Sequence, residues 1–405
     1  MSSPTETARP LLDEQDVSLS AASQRPQTFG LQPLWAVIKT TLGSSYANLL
    51  LPCVFLGMVA GDYGWDDSAV FVLNFLAIFP LASLLSFATE ELAKSVGEMV
   101  GGLINATFGN AVEMIVGATA VNQGEIHIVQ SSMLGSILSG NLLILGSCFL
   151  FGGYKGQTLT FSADVSGIMS SLMVVTSASL VIPSALYSTS FAKAEDLNES
   201  VLAISRAAAI LLFLLYLVYL YFQLKSHADL FSTEEDSDEA EGPPLLGPWS
   251  ASVVLILTTL GVGCCSDQLI DSVDGIVEAW NISRAFIGLI IVPIVGNAGE
   301  FTTTVNSAMK GNLGLAIGVI VGSTLQIALF VTPFMVIWGW IINEPMSLHF
   351  NTFETAVFSL TVILTNSLTR DGRSNYFEGS LLIGMYLILA VAFLVHPDTS
   401  STKST

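Results

Sequence analysis

Two glutamates lie inside apolar stretches where water is scarce. Glu113 ends the run FGNAVE and Glu300 ends VGNAGE, each with a glycine and an asparagine just before it. A carboxylate at the centre of a bilayer costs at least ~2.5 kcal/mol, so such residues usually face a cavity and mark an ion path. A glutamate paired with a lysine or arginine would be the plain structural alternative, but neither run carries a cation nearby. Two carboxylates supply the charge that balances one divalent cation. Around them stand oxygen donors: Asn110, Asn297, Ser136, Ser139, Ser323, Thr324 and Gln326. No His or Cys joins them. An all-oxygen set suits a hard cation such as Ca2+, and carboxylate-rich sites also suit Mn2+. Burial favours the protonated form of a glutamate and a bound cation favours the ionised form. Metal and proton therefore compete for one site.

The elements that hold these residues are membrane spans. Of the 405 residues, 52% are hydrophobic and 11% charged, and the mean hydropathy is +0.67. Soluble domains carry about 25% charged residues, so this chain cannot cover itself in water. Apolar runs bounded by turn or charge signals predict eleven spans, near 46–62, 69–88, 99–121, 128–151, 165–187, 201–224, 248–268, 285–308, 313–340, 353–369 and 378–396. The first is interrupted by Pro52 and Gly57, and Leu34 to Leu42 before it suits a helix lying on the membrane surface.

With the N-terminus in the cytosol, Arg9, Arg25, Lys39, Lys94, Lys155, Lys225, Lys310, Arg370 and Arg373 fall on the cytosolic side. Lys193, Arg284 and Lys403 fall opposite and Arg206, near the start of the sixth span, is assigned to neither side; this is the bias expected of cytosolic loops. The C-terminus is then lumenal. Sequons at Asn198 and Asn281 also land on the lumenal side. Much of the net charge of −20 sits in LFSTEEDSDEAEG, where Glu234, Glu235, Asp236, Asp238, Glu239 and Glu241 form one block. Composition alone makes this a solvated cytosolic linker. The four cysteines lie in apolar segments without metal-ligand spacing and read as packing residues.

GNAVE at 109–113 returns as GNAGE at 296–300, an offset of 296 − 109 = 187 that holds without a gap for more than forty residues. Gly124 pairs with Gly311, Gly135 with Gly322, Ser136 with Ser323 and Gly152 with Gly339. Five crossings separate the third span from the eighth, so the copies run through the membrane in opposite directions. Inverted duplication is common in secondary transporters, whose sites lie at the repeat interface. The glycines before each glutamate let the helix unwind there, and the small residues of spans four and nine allow close packing. Ser136 and Ser323, recurring where both spans enter the core, are expected to line the site. Glu90 and Glu91, at the cytosolic end of span two, fit either a solvated helix end or a cation-concentrating mouth.

NFLAIFPLASLL followed by ATEELA, then GGLINATFGNAVE, IVQSSMLGSILS, FGGY, FIGLIIVPIVGNAGE and IALFVTPFMVIWGW resemble the calcium/proton exchanger (CAX) family, and above all fungal vacuolar Ca2+/H+ exchangers. The resemblance runs over roughly residues 45 to 396. It implies an all-α polytopic membrane protein with the cation/Ca2+ exchanger fold: an extra first helix and two inverted five-helix repeats. The divisions are then a polar N-terminal extension (1–45), the first transmembrane helix (46–62), the first repeat (63–224), an acidic linker or helix (225–247), the second repeat (248–396) and a tail (397–405). Position by position, it implies that Glu113 and Glu300 bind cation and proton. It likewise makes Asn110, Asn297, Ser136, Ser323 and Gln326 line the site and the block at 234–241 regulatory. It also implies antiport of cytosolic Ca2+ into an acidic vacuole-like compartment by alternating access.

Departures from the family pattern bear on metal preference. Ser139–Gly140 stands where many members read Ser–Asn, Phe301 replaces a common histidine, and Gly314 stands where an acidic residue is common. Asn141 comes one place late, about 100° around a helix, so it is not expected to replace that ligand. Expected substrates are Ca2+ and H+, with Mn2+ as a second candidate; no cofactor and no nucleic-acid partner is expected beside the membrane lipids. The rivals are an Mn2+/H+ or Na+/Ca2+ exchanger on the same scaffold and a passive cation channel. An enzyme is disfavoured, since the chain has neither a nucleophile with a base partner nor an HExxH motif.

Overall fold

A computed structural model describes residues 33–154, 156, 158–189, 194–227 and 244–395. The acidic block at 234–241 lies outside them. Among the described residues the chain is almost wholly helical, with one two-stranded antiparallel pair, β1 (Leu159–Thr160) against β2 (Arg373–Ser374), joining two loops.

The chain enters through α1 (Leu34–Gly43), which leaves Leu34, Trp35 and Leu42 exposed. A single turn, Tyr46–Leu50, leads into α2 (Leu51–Asp62), and the path bends by 102° between α1 and this segment. Pro52 falls in the first turn of α2, where its missing N–H costs nothing, so the expected weak point of the first span is instead its start. α3 (Asp67–Val96) is the longest helix and packs along α10 (Pro248–Asp271). The expected third span is two helices, α4 (Glu98–Phe108) and α5 (Ala111–Asn122), bent by 42° at Gly109–Asn110. α6 (Ile126–Leu138) continues through a π-helical turn, Ser139–Ile144, into α7 (Leu145–Gly152). α8 (Ala163–Thr189) and α9 (Ala194–Tyr221) follow.

After α10, the short α11 (Val273–Trp280) turns by 118° into α12 (Arg284–Phe286) and α13 (Val292–Gly296), linked by a π turn at Ile287–Ile291. A break at Asn297 separates α13 from α14 (Ala298–Met309). α15 (Leu313–Gln326) passes through a π turn, Ile327–Val331, into α16 (Thr332–Ile342). α17 (Thr352–Thr369) and α18 (Tyr376–Val395) complete the fold.

The two copies fold alike locally. Gly124 and Gly311, partners at the 187 offset, both turn the chain at positive φ, 77° and 97°, a region glycine enters without strain. The π turns after α6 and α15 end at matching places, Ile144 and Val331, 187 residues apart. Such turns widen a helix by one residue and recur at functional sites.

Seven helices among the described residues are long and apolar enough to cross a membrane, or ten if each of three bent pairs is one span. The expected span at 353–369 coincides with α17, which is threonine-rich and outside that set. Leu211, Leu214 and Val218 on α9, Val253, Ile256 and Leu260 on α10, and Leu387, Ile388 and Val391 on α18 all point outward. Apolar surfaces of this extent are stable only against lipid. This is a multi-pass membrane protein.

Candidate ion-binding site

Both glutamates occupy the first turn of a helix that begins at a break, Glu113 in α5 and Glu300 in α14. The asparagines stand at the cap positions, Asn110 and Asn297, three residues earlier. That spacing suits a self-contained cap, but neither side chain makes one. They reach across the molecule instead. Asn110 Nδ2 donates to Gln326 Oε1 (2.8 Å), and Asn110 Oδ1 accepts from the Ser323 hydroxyl (2.9 Å). Asn297 Nδ2 donates to the backbone carbonyl of Ser136 (3.2 Å). Each asparagine of one copy thus holds a residue of the other copy's small-residue helix.

Glycine permits the closest approach. A Cβ on Gly296 would lie 2.7 Å from Glu113 Oε1, so the carboxyl rests on the bare backbone of the opposite motif. The Glu300 carboxyl lies within electrostatic reach of Glu113 and within hydrogen-bonding reach of Ser323. All seven residues expected at the site therefore gather where α4–α5, α6, α13–α14 and α15 meet. Asn141 is buried inside the π turn and lines none of the cavities around the site.

The two acids differ in access. Glu300, Ser323 and Gln326 line a cleft of about 490 Å3. Its walls are the glycine face of α15 (Gly314, Gly318, Gly322) and the start of the third span, with Gln223 and Glu90 towards the rim. Glu113 is 6% exposed and borders only a chamber of about 10 Å3 with Ser132, Ser136 and Gly296. That is room for about one water.

Beyond Glu113 the protein is shut. A Cβ on Gly288 would lie 2.7 Å from Ser131 Cβ, and Gly135 leaves no room beside the Leu289 carbonyl, so α6 and the π turn after α12 touch backbone to backbone. Arg284 holds Glu125 with paired bonds of 3.0 and 2.8 Å and also pairs with Asp274, joining three elements at that end. At the open end, among the described residues, a Cβ on Gly314 or Gly318 would meet nothing within 4 Å, and one on Gly322 only the Tyr219 hydroxyl at 4.0 Å.

The Glu90–Glu91 pair divides. Glu90 lines the cleft and bonds Lys94 at 2.7 Å. Glu91 is 3% exposed and accepts the Leu246 amide at 2.8 Å, which anchors the chain just before α10. Sequence reasoning missed Ser86, Thr89, Asn105 and Thr303, which also line the cleft. The spacing of Ser86, Thr89 and Glu90 is one polar face of a helix and could have marked the first two. Among the described residues no group of three or more His, Cys, Asp and Glu side chains is placed to hold a metal.

The sodium/calcium exchanger protein family model matches residues 68–225 and 250–395. The chain is 42% identical to a vacuolar calcium ion transporter of Schizosaccharomyces pombe over 360 residues, covering 89% of this chain and 87% of that protein. It is 39% identical to vacuolar cation/proton exchanger 2 of Arabidopsis thaliana, covering 89% and 83%. Among solved structures it superposes on native YfkE with a TM-score of 0.74 at 32% identity, covering 86% and 100% of the two chains. A crystal structure described as the H+/Ca2+ exchanger CAX shares the fold, with a TM-score of 0.66 at 13% identity over 87% and 88%.

Proposed function

We propose that this chain, which belongs to the sodium/calcium exchanger protein family, is a Ca2+/H+ antiporter. One observation carries the reading: equivalent acids of the two copies share a centre, Glu300 open to a cleft and Glu113 sealed behind it. The relatives' names, a vacuolar calcium ion transporter and vacuolar cation/proton exchangers, support calcium and protons as substrates and a vacuolar membrane as the location. The architecture we assign is eleven spans, with two inverted five-helix repeats after the first.

Loop cations support a cytosolic cleft, since Lys94, Lys225 and Lys310 lie at that end. Glu90 at the rim attracts cations from the cytosol. Ca2+ then reaches Glu300 and Glu113, with Ser323, Gln326, Asn110 and Asn297 offering or orienting neutral oxygens, and it displaces the protons held there. Closing the cleft and parting the Gly135–Leu289 contact exposes the pair to the lumen. Protons there compete with the cation for both carboxyls and release it. A gradient of about two pH units supplies roughly 2.7 kcal/mol per proton, and a thousandfold Ca2+ gradient costs about 4.1 kcal/mol. Two or more protons per ion suffice without a membrane potential.

The test is uptake into reconstituted vesicles under an imposed pH gradient, with Na+ absent and Ca2+ and Mn2+ compared. Proton-driven Ca2+ uptake that is lost in Glu113→Gln and Glu300→Gln supports the reading. Uptake that needs Na+ assigns the chain to Na+/Ca2+ exchange, and flux indifferent to collapse of the gradient assigns it to a channel.

A further inference from the structure

The closure beyond Glu113 is pinned at two points. Ser131, 0% exposed, abuts Gly288 and donates its hydroxyl to Glu354 Oε1 at 3.1 Å. Six residues earlier, Glu125 at the start of α6 is held by Arg284. Both pins are anchored on one body. The Ser283 hydroxyl donates to the Phe393 carbonyl at 3.0 Å, and the Phe393 ring packs on Phe353, beside Glu354, with centroids 5.1 Å apart. Opening this end requires α6 to leave that body.

Glu354 faces two ways. It is 3% exposed; Oε2 accepts the Asn351 amide of its own capping box, while Oε1 takes the Ser131 hydroxyl. A chain of polar atoms reaches it from the surface, because His127, exposed on the first turn of α6, brings Nδ1 to 3.4 Å from Ser131 Oγ. With the Ser131 proton directed at Glu354, the imidazole N–H is the donor in that contact. The other charged or titratable groups at this end are Glu125, Arg284 and Asp274, paired with one another, and Glu344 and His349 in the loop before α17. Tyr187 of α8 stacks on the His349 ring.

The cleft end carries no equivalent in sequence. At the 187 offset His127 corresponds to Gly314 and Ser131 to Gly318. Leu159-Thr-Phe-Ser returns as Leu348-His-Phe-Asn, which sets Val165 in the place of Glu354. The titratable pin therefore belongs to one end alone.

We propose that Glu354 is a positioning residue that makes opening of the ion site at the sealed end depend on protons supplied there. Ionised, it holds Ser131, and with it α6, against Gly288. A proton taken up by the exposed His127 ring moves inward: the Nδ1 proton passes to Ser131 Oγ, the Ser131 proton passes to Glu354 Oε1, and the imidazole is left neutral. The Glu354–Ser131 contact then joins two neutral groups. Hydrogen bonds to a charged acceptor are about twice as strong as neutral ones, so α6 is released. Acid on that side thereby opens the route by which protons reach Glu113. The pin stands on the geometry; its consequence for cation exchange rests on the antiport reading above.

The experiment uses the full chain in detergent without divalent cations, freed of Cys53, Cys148, Cys264 and Cys265 and carrying Ser132→Cys beside the Glu113 chamber. Modification of that cysteine by a charged methanethiosulfonate is timed from about pH 5 to about pH 8, where imidazole changes charge. Each rate is divided by that of the same protein with Glu354→Gln, which offers Ser131 a neutral acceptor at every pH and cancels the thiol's own titration. The ratio should be near one in acid and fall about tenfold as the pH rises, the loss expected from one charge-assisted bond. Ser131→Ala should match Glu354→Gln and replaces it if that variant does not fold. Asn351→Ala, which weakens the cap of α17 without touching Ser131, should lower the melting temperature and keep the parent's pH dependence. A ratio flat with pH overturns the proposal. So does loss of the dependence in Asn351→Ala, which makes Glu354 a cap only, or in Glu125→Gln, which moves the switch to Arg284. The expected ratio in a protein without proton-driven Ca2+ uptake keeps the pin and rejects only its part in antiport.

Discussion

Gly296→Ala moves Glu113 without altering its chemistry. The added Cβ would sit 2.7 Å from Oε1, 3.1 Å from Cδ and 3.3 Å from Cγ of Glu113, whereas ordinary contact begins at 3.4 Å. The carboxyl must therefore withdraw by about 3.4 − 2.7 = 0.7 Å, into a chamber of only about 10 Å3. Calcium–oxygen distances vary over only about 0.3 Å, so a ligand shifted by that much no longer closes on the ion. A displacement of about 1 Å in a catalytic site can cost about a hundredfold, and 0.7 Å should cost tenfold or more in proton-driven Ca2+ uptake. The assay is initial uptake into vesicles, with the melting temperature of the purified variant measured alongside. Gly299→Ala is the control within the same motif. Its nearest neighbour, Ser86 Cβ, is 3.7 Å away, and the corresponding position of the first copy is Val112. The reasoning is refuted if both variants transport alike, or if Gly296→Ala loses uptake only in proportion to its loss of stability.

Gly135→Ala should destabilise the protein by about 1–3 kcal/mol, since the Leu289 carbonyl backbone cannot give way, whereas Gly322→Ala, its partner in the repeat, should leave the melting temperature unchanged. Glu91→Ala removes the buried acceptor of the Leu246 amide and should cost about 1–3 kcal/mol in thermal unfolding, with a smaller effect on uptake per folded molecule. Glu354→Ala deletes the capping box of α17 and the partner of the buried Ser131 hydroxyl at 3.1 Å. A loss of about 1–3 kcal/mol is expected, and Glu354→Gln should recover part of it. Uptake by the parent should fall to background when lumenal and external pH are equalised, as followed with a lumenal pH dye.

The offset of 187 residues made the two glutamates legible, because a duplicated acid in an apolar run has few purely structural explanations. The interlock between copies was not. Asn110 could have capped its own helix, and nothing in the spacing says that it crosses to Ser323 and Gln326, since those contacts span 213 and 216 residues. Glu91 shows the same limit. It shares a helix and a charge with Glu90, but the two point to different surroundings, and only the return of the chain at Leu246 makes one of them an anchor. Expected apolar runs coincide with single helices where the helix is continuous and not where it breaks, because hydropathy is blind to a bend. The runs at 99–121 and 285–308 each became two or more helices at Gly109–Asn110 and at Asn297.

What sequence could not reveal is the difference between the copies. Gly135 and Gly322 are equivalent by register, and each stands one residue before an equivalent serine, yet one is clamped against a carbonyl and the other opens on a cleft. No residue type accounts for this. The clamp on one side and the gap on the other belong to a single conformation of two similar units. If the copies exchange environments, α15 must close on the start of the third span as α6 now closes on the π turn after α12. At the 187 offset Gly288 corresponds to Gly101 and Ser131 to Gly318, so the contact that seals Glu113 has a counterpart poised to seal Glu300. A disulfide between cysteines at 101 and 318, formed in a variant freed of Cys53, Cys148, Cys264 and Cys265, should trap the cleft shut. Uptake should stop on oxidation and return on reduction. A crosslink that forms readily and leaves exchange at its full rate would break the link between that gap and access to the paired acids.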